Sequence, residues 1–270
     1  IVKLWAKRCA EKGEATAHRE KQLGIWQSHS WNEFYDHARW IGLAFMEMGL
    51  KRGECVQILS EDRREWIYID LGVAAIGAIP TGVYTTDSAD QLAYLVNDSQ
   101  AKFLIIENDE QLDKFLEARE KMPGLQKAIV LDRSGLRDFH DDQVMFYDEL
   151  LLLGRKALED HPTRFEEALE QVQPDDVRML VYTSGTTGPP KGAMITHRNM
   201  MFQLVAAEGL LDVTSDDEQL CFLPLCHVLE RIFSVEQPIR AGAIVNFAES
   251  PETVFDNLRE VGPTLFTAVP

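Results

Sequence analysis

Residues 55–84 read CVQILSEDRREWIYIDLGVAAIGAIPTGVY, and the architecture of the chain can be built outward from them. Residues 55–59 form an apolar run that reads as a strand, and Ser60 to Asp62 supply the polar start of a helix. That helix carries Trp66, Ile69, Val73 and Ile76 on one side. Gly77 and Pro80 close it, and residues 81–84 return to a short strand.

The alternation continues in both directions. Upstream, Ser30 with Glu33 three residues on reads as a capping box. Phe34, Ala38, Ile41, Phe45 and Met48 then follow at spacings of four and three, one helical face that ends at Gly49. Downstream, residues 91–97 are helical, 103–106 a compact buried-type strand, 111–121 a helix, Pro123-Gly124 a turn and 128–131 another strand. Residues 146–170 are helical, rich in Leu and Glu, and read as a surface excursion that Pro174-Asp175-Asp176 breaks. Residues 178–182 are the next strand. Continuous apolar strands alternating with helices predict an α/β fold with a mostly parallel sheet covered by helices. The expected division is 1–173 as a first α/β portion and 174–270 as a second. No internal repeat or low-complexity tract interrupts the pattern.

Composition narrows the function classes. The 270 residues carry 45% hydrophobic and 26% charged side chains, enough apolar material for a sizeable core. Lys and Arg number 27 against 44 Asp and Glu, a net charge of -17 that repels nucleic-acid backbones, so no nucleic-acid partner is expected. An anionic small ligand remains compatible, because one loop can be locally positive. Cys9, Cys55, Cys221 and Cys226 form no CxxC pair and no zinc spacing, and read as buried small hydrophobes in a reducing cytoplasm. The longest apolar stretch, 71–83, is too short to span a bilayer and is interrupted by Pro80 and Gly82. The expected location is the cytoplasm, with peripheral membrane contact left open. The chain opens at Ile1 without a Met and stops at Val269-Pro270 after an apolar run, which reads as a piece of a longer protein.

The chemistry concentrates in residues 182–192, Tyr-Thr-Ser-Gly-Thr-Thr-Gly-Pro-Pro-Lys-Gly. Three glycines let the backbone approach a ligand closely. Thr183, Ser184, Thr186 and Thr187 add hydroxyl donors and Lys191 a cation, so the run reads as a phosphate cradle. A Walker A loop is excluded, since Pro190 precedes the lysine and Gly192 follows it where a helix should open.

This run resembles the signature loop of the adenylate-forming superfamily, Tyr-Thr-Ser-Gly-Thr-Thr-Gly-x-Pro-Lys-Gly, at every fixed position. The resemblance implies that Thr183, Ser184, Gly185, Thr186, Thr187, Gly188 and Lys191 contact the phosphates of ATP. Residues 223–231, Leu-Pro-Leu-Cys-His-Val-Leu-Glu-Arg, resemble a second family stretch at the acyl side of the site, which makes His227 the candidate catalytic residue in an active-site wall. Leu59-Ser60-Glu61-Asp62-Arg63 with Glu65-Trp66, and Thr267-Ala268-Val269-Pro270, look most like the long-chain fatty acyl-CoA synthetases. Glu230 and Arg231 read equally as an ion pair at a helix start or as ligand contacts. Thr196 reads as the N-cap of the helix after the loop, with His197 structural in its first turn.

By this resemblance the reaction runs in two halves. A carboxylate attacks the α-phosphate of ATP and expels pyrophosphate; the thiol of coenzyme A then displaces AMP. The implied partners are a fatty acid, ATP and CoA, with Mg²⁺ alongside. No metal ligand is assigned to these residues. The resemblance also implies that the family's later adenine, ribose and C-terminal-domain motifs are absent, so the chain alone is not expected to adenylate. Two other readings stand beside this one: adenylation of an amino or aryl acid, and a non-catalytic nucleotide-binding module.

Overall fold

Two sheets organise the chain in the computed structural model, which describes residues 1–183, 188–207, 209 and 212–269. Helix α1 (Val2–Lys12) leads into a hairpin, β1 (Thr16–Gln22) and β2 (Ile25–Ser30), and then α2 (Trp31–Glu47). β3 (Cys55–Leu59), α3 (Arg64–Ala75) and β4 (Ile79–Val83) are followed by α4 (Ala89–Asp98), β5 (Phe103–Ile106), α5 (Asp109–Ala118), β6 (Lys127–Val130) and β7 (Val144–Phe146). Helices α6 (Tyr147–Asp160) and α7 (Arg164–Gln171) precede β8 (Val177–Thr183), β9 (Lys191–Thr196) and α8 (His197–Ala206). The remaining elements are β10 (Glu218–Cys221), the short helix α9 (Val228–Arg231), a π-helical turn Ile232–Glu236, α10 (Gln237–Ala241), β11 (Ile244–Phe247) and α11 (Val254–Val261).

The larger sheet has the order β7-β6-β5-β3-β4-β8-β9, parallel throughout except for the β8–β9 hairpin. The smaller has the order β10-β11-β1-β2 and is antiparallel only between β1 and β2. The expected mostly parallel α/β architecture is therefore present. Both sheets draw strands from either side of residue 174.

Alternate residues of the central strands serve opposite faces. Val56, Ile58, Phe103 and Ile105 pack with α1, α2 and α3, whereas Cys55, Leu59, Leu104 and Ile106 pack with α4 and α5. Covering both faces is what removes polar alternation from such strands. Ala17, Cys221, Val245 and Phe247 of the smaller sheet join the first of these cores, so α1, α2 and α3 lie between the two sheets. This corrects the one-sided reading of α3: every residue from Glu65 to Ala75 is buried, because a sheet stands on each side of it. The four cysteines are buried and free, as read.

Other expectations are refined. Ser30 caps α2 by accepting from the Glu33 N–H at 3.1 Å, but the Glu33 carboxylate turns to His29 and Arg64 instead of closing the box. Pro80 lies inside β4 rather than ahead of it. Residues 146–170 are not a surface excursion, since Leu150, Ala157 and Phe165 join the main core and α6 lies along α2. Gly154 permits that approach: an added Cβ would overlap the carbonyl oxygen of Trp40 on α2. Gly154→Ala is expected to destabilise the fold by about 2 kcal/mol, overpacking outweighing the better helix propensity of alanine. A urea midpoint at or above the parental value would refute this. Among the described residues no helix is long and apolar enough to cross a membrane.

Candidate active site

The larger sheet changes the direction of its connections at β3 and β4. From β3 the chain passes through α3 to β4 on one side; from β4 it returns through α4 to β5 on the other. Right-handed crossovers in opposite directions place these helices on opposite faces, and this makes the carboxyl ends of β3 and β4 a switch point of the kind where open α/β sheets hold ligands; the Thr85 hydroxyl after β4 donates to Glu61 after β3 there. The loop after β8 emerges at the same end beside β4.

That loop is the tip of a hairpin. Tyr182 pairs with Gly192 and Thr183 with Lys191, which leaves 184–190 as the connection. The sequence reading placed a helix next; β9 intervenes, and Lys191 lies on that strand rather than at the opening of a helix as in a Walker A loop. Helix α4 braces the loop, with the Tyr94 hydroxyl donating to the Pro190 carbonyl and the Tyr182 hydroxyl to Asp98, both at 2.8 Å. Thr183, Gly188 and Lys191 are exposed, and Lys191 has no ion-pair partner among the described residues. Thr183 and Lys191 stand opposite each other in the ladder at the loop's base, a hydroxyl and an ammonium that as donors fit a phosphate. Ser184, Gly185, Thr186 and Thr187 lie outside the described residues. Thr196 caps α8 with Asn199 in a complete capping box, and His197 behind it is buried and held neutral, pushed down to about 2 mainly by burial and then by Arg178.

The second stretch crosses the end of β4. Cys226 sits on Gly82, where an added Cβ would lie 2.5 Å from the Cys226 Cβ and 2.6 Å from its Cα. His227 is exposed and caps α9, its Nδ1 accepting from the Leu229 N–H at 3.2 Å. Asp62, from the loop after β3, accepts the Leu225 N–H at 2.8 Å. The Glu230–Arg231 ion pair does not form. Glu230 accepts from the Ser234 hydroxyl at 2.6 Å, and burial pushes its carboxyl up to about 7.

Arg231 instead enters a fully buried quartet with Asp70, Arg178 and Glu236. Asp70 on α3 binds Arg178 on β8 and, at 2.5 Å, Arg231 on α9; Arg178 also lies 3.2 Å from Glu236. Burial opposes charge on Arg178, but Asp70 and Glu236 override it and raise its pKa. Arg178 is the extra residue of a bulge between Val177 and Met179, which aims it inward. The quartet ties the strand of the phosphate loop to the helix behind His227. Sequence reading missed Asp70 and Arg178, because an Asp in an apolar helix and an Arg at a strand's start carry no motif of their own.

A family model described as AMP-binding enzyme matches residues 5–270. The chain is 30% identical over 249 residues to the long-chain-fatty-acid–CoA ligase ACSBG2 of Homo sapiens, covering 91% of this chain and 37% of that protein. It is 32% identical over 279 residues to the Gallus gallus protein of the same name, covering 100% of this chain and 36% of that one. The solved anthranilate CoA ligase AuaEII, in complex with anthranoyl-AMP, superposes with a TM-score of 0.80 at 21% identity, over 98% of this chain and 48% of its own. The luciferase-like enzyme of the nonluminescent Zophobas morio mealworm gives 0.80 at 16% identity, over 100% of this chain and 59% of its own. At these identities the two structures speak for the fold alone. The chain spans 36–37% of the length of these two curated relatives. With a hairpin loop carrying Thr183 and Lys191 at the carboxyl end of β8, and a match running from Trp5 to the last residue, the chain belongs to the AMP-binding enzyme family.

Proposed function

We propose that this chain is part of a long-chain fatty acid–CoA ligase and supplies its phosphate loop and one wall of its acyl site. The observation that carries the reading is the 182–192 sequence run, whose Tyr182 and Pro190 are held by α4 and whose Lys191 has no ion-pair partner among the described residues. The relatives' designation as long-chain-fatty-acid–CoA ligases supports the fatty acid as substrate over an amino or aryl acid.

In the first half-reaction a carboxylate oxygen bonds to the α-phosphorus of ATP while the bond to the bridging oxygen breaks, and pyrophosphate leaves. Two anions meet in this step, so donors must stand ready where charge develops. The loop's hydroxyls and N–H groups orient the phosphates and Lys191 balances charge on the leaving group. His227, at the head of α9, forms part of the wall against the acid's carboxylate end. In the second half-reaction the CoA thiol adds to the acyl carbon, the bond to AMP breaks, and the thiol proton is released. Among the described residues no three carboxylate, His or Cys side chains gather to hold a metal. Mg²⁺ is proposed to arrive on the nucleotide's phosphates. A cytoplasmic location with peripheral membrane contact suits a ligase of this substrate class.

ATP–pyrophosphate exchange by the complete gene product, over straight-chain fatty, aryl and amino acids, tests the reading. Fastest exchange with long-chain acids is the expected result. Exchange led by another acid would remove the fatty-acid assignment and keep the loop; silence across the panel would favour a non-catalytic nucleotide-binding module. Lys191→Ala should slow exchange about 100-fold, the scale of losing one charged stabiliser of a transition state. An unchanged rate would take the phosphate role from Lys191.

A further inference from the structure

We propose that Asp62 is a positioning residue of the acyl side, its carboxyl group fixing the turn that carries His227; this rests on the acyl role proposed for that turn. The segment 222–227 leaves β10, crosses β4 and enters α9 without a ladder partner of its own. Asp62 spans it. Oδ1 accepts the Leu225 N–H at 2.8 Å, and Oδ2 lies 3.7 Å from the Cys221 Sγ where the segment begins. One side chain thus closes the start of the turn onto its middle, with Leu225 buried beneath.

Asp62 also lines a cleft of about 320 Å³ between the two sheets, together with Phe222, Phe247, Lys21 and Glu107. A ligand entering there meets the turn and the side chain that sets it. Among the described residues no cation pairs with this carboxyl; neighbouring Arg63 is taken by Glu65 at 2.8 Å. The groups facing it are Glu61 from its own loop, Glu230 from α9, and the thiols of Cys221 and Cys226. Burial first, and then Glu230 and Glu61, push Asp62 well above the usual carboxylate range, against the lowering effect of the Leu225 N–H. With a raised folded-state value, its contribution to folding stability is complete below its ordinary 3.8 and is lost as pH rises through the raised value, although the Leu225 N–H bond itself favours the ionised form.

Asparagine keeps the acceptor for Leu225 and does not titrate; alanine removes both. The test uses the complete gene product with Asp62→Ala and Asp62→Asn. Hydrogen–deuterium exchange of the 222–229 peptide should accelerate about tenfold in Asp62→Ala and stay near the parental rate in Asp62→Asn. In pyrophosphate exchange, Asp62→Ala should raise KM for the fatty acid about tenfold with KM for ATP within about twofold. Asp62→Asn should restore the acid KM. Unchanged protection in Asp62→Ala, or equal changes in both KM values, would overturn the proposal. Loosened amides with a normal acid KM would overturn the acyl role while leaving ATP chemistry standing. Where Asp62→Ala fails to fold, Asp62→Ser decides, its shorter side chain withdrawing the acceptor from Leu225: parental exchange of the 222–229 peptide with a parental acid KM rejects the proposal.

Discussion

Replacing Asp70 with alanine is expected to lower the stability of the fold by about 3–5 kcal/mol, the scale of breaking a buried ion network from one side. Asp70 is fully buried and is the shared anion of Arg178 and Arg231. Without it, two buried guanidinium groups would have Glu236 as the remaining carboxylate of the quartet. Arg178 Nε and Nη1, and the same atoms of Arg231, already lack hydrogen-bond partners, so removing Asp70 adds further unmet buried donors. Stacking of Arg231 on Trp66, 4.6 Å from the ring centroid, recovers only a small part. Such a loss is a large share of a typical domain's 5–15 kcal/mol. Urea unfolding followed by tryptophan fluorescence reads it directly. A change under about 1 kcal/mol would mean the quartet is dispensable to the fold.

Gly82→Ala is expected to leave most of the fold intact and to cost about 100-fold in fatty-acid-dependent exchange, as a misplacement near 1 Å does at a reacting centre. The new Cβ would collide with the Cα and Cβ of Cys226, the residue before His227, and a backbone neighbour cannot rotate away. Trp66 closes the other side, its ring carbon 3.2 Å from the same point. Strand β4 is held between β3 and β8, so the turn must give way. Pyrophosphate exchange at saturating ATP, with the melting temperature as control, separates this from general destabilisation. Parental activity with an unmoved melting temperature would show that the close seat of Cys226 has no catalytic purpose.

The sheet carrying the phosphate loop was legible in the sequence for a physical reason. β3 and β5 are covered on both faces, so their composition alone marks them, and both strands fall on the residues read as strands. The smaller sheet was not legible. β1 is Thr-Ala-His-Arg-Glu-Lys-Gln and β2 holds His and two Ser, so neither carries an apolar run or a clean alternation. β9 escaped for the same reason, four of its six residues being at most half-buried small or polar groups. The roles proposed for residues 183, 188, 191 and 227 come from the sequence, where glycines, hydroxyls, a lysine and a histidine stand in a recognisable order. Asp62, Gly82 and Asp70 act by touching distant backbone or charge, and such contacts exist only once the chain has folded.

The pairing of β1 with β11, His18 opposite Val245 and Arg19 opposite Asn246, also sets a timetable for making the protein. The first hairpin leaves the ribosome long before the strand it rests against. At about 5–20 residues per second, some ten to forty seconds separate them. Throughout that interval one edge of β1 stays open, and the ring of His18 waits for Phe247, 5.7 Å away in the finished core. Contacts between such distant parts of a chain form slowly and late. The larger sheet can assemble on the emerging polypeptide, while the smaller one must be closed last by the segment just beyond the His227 turn. A nascent chain stalled short of residue 244 would therefore present an unpaired strand edge, the kind of surface that holding chaperones bind and that otherwise aggregates.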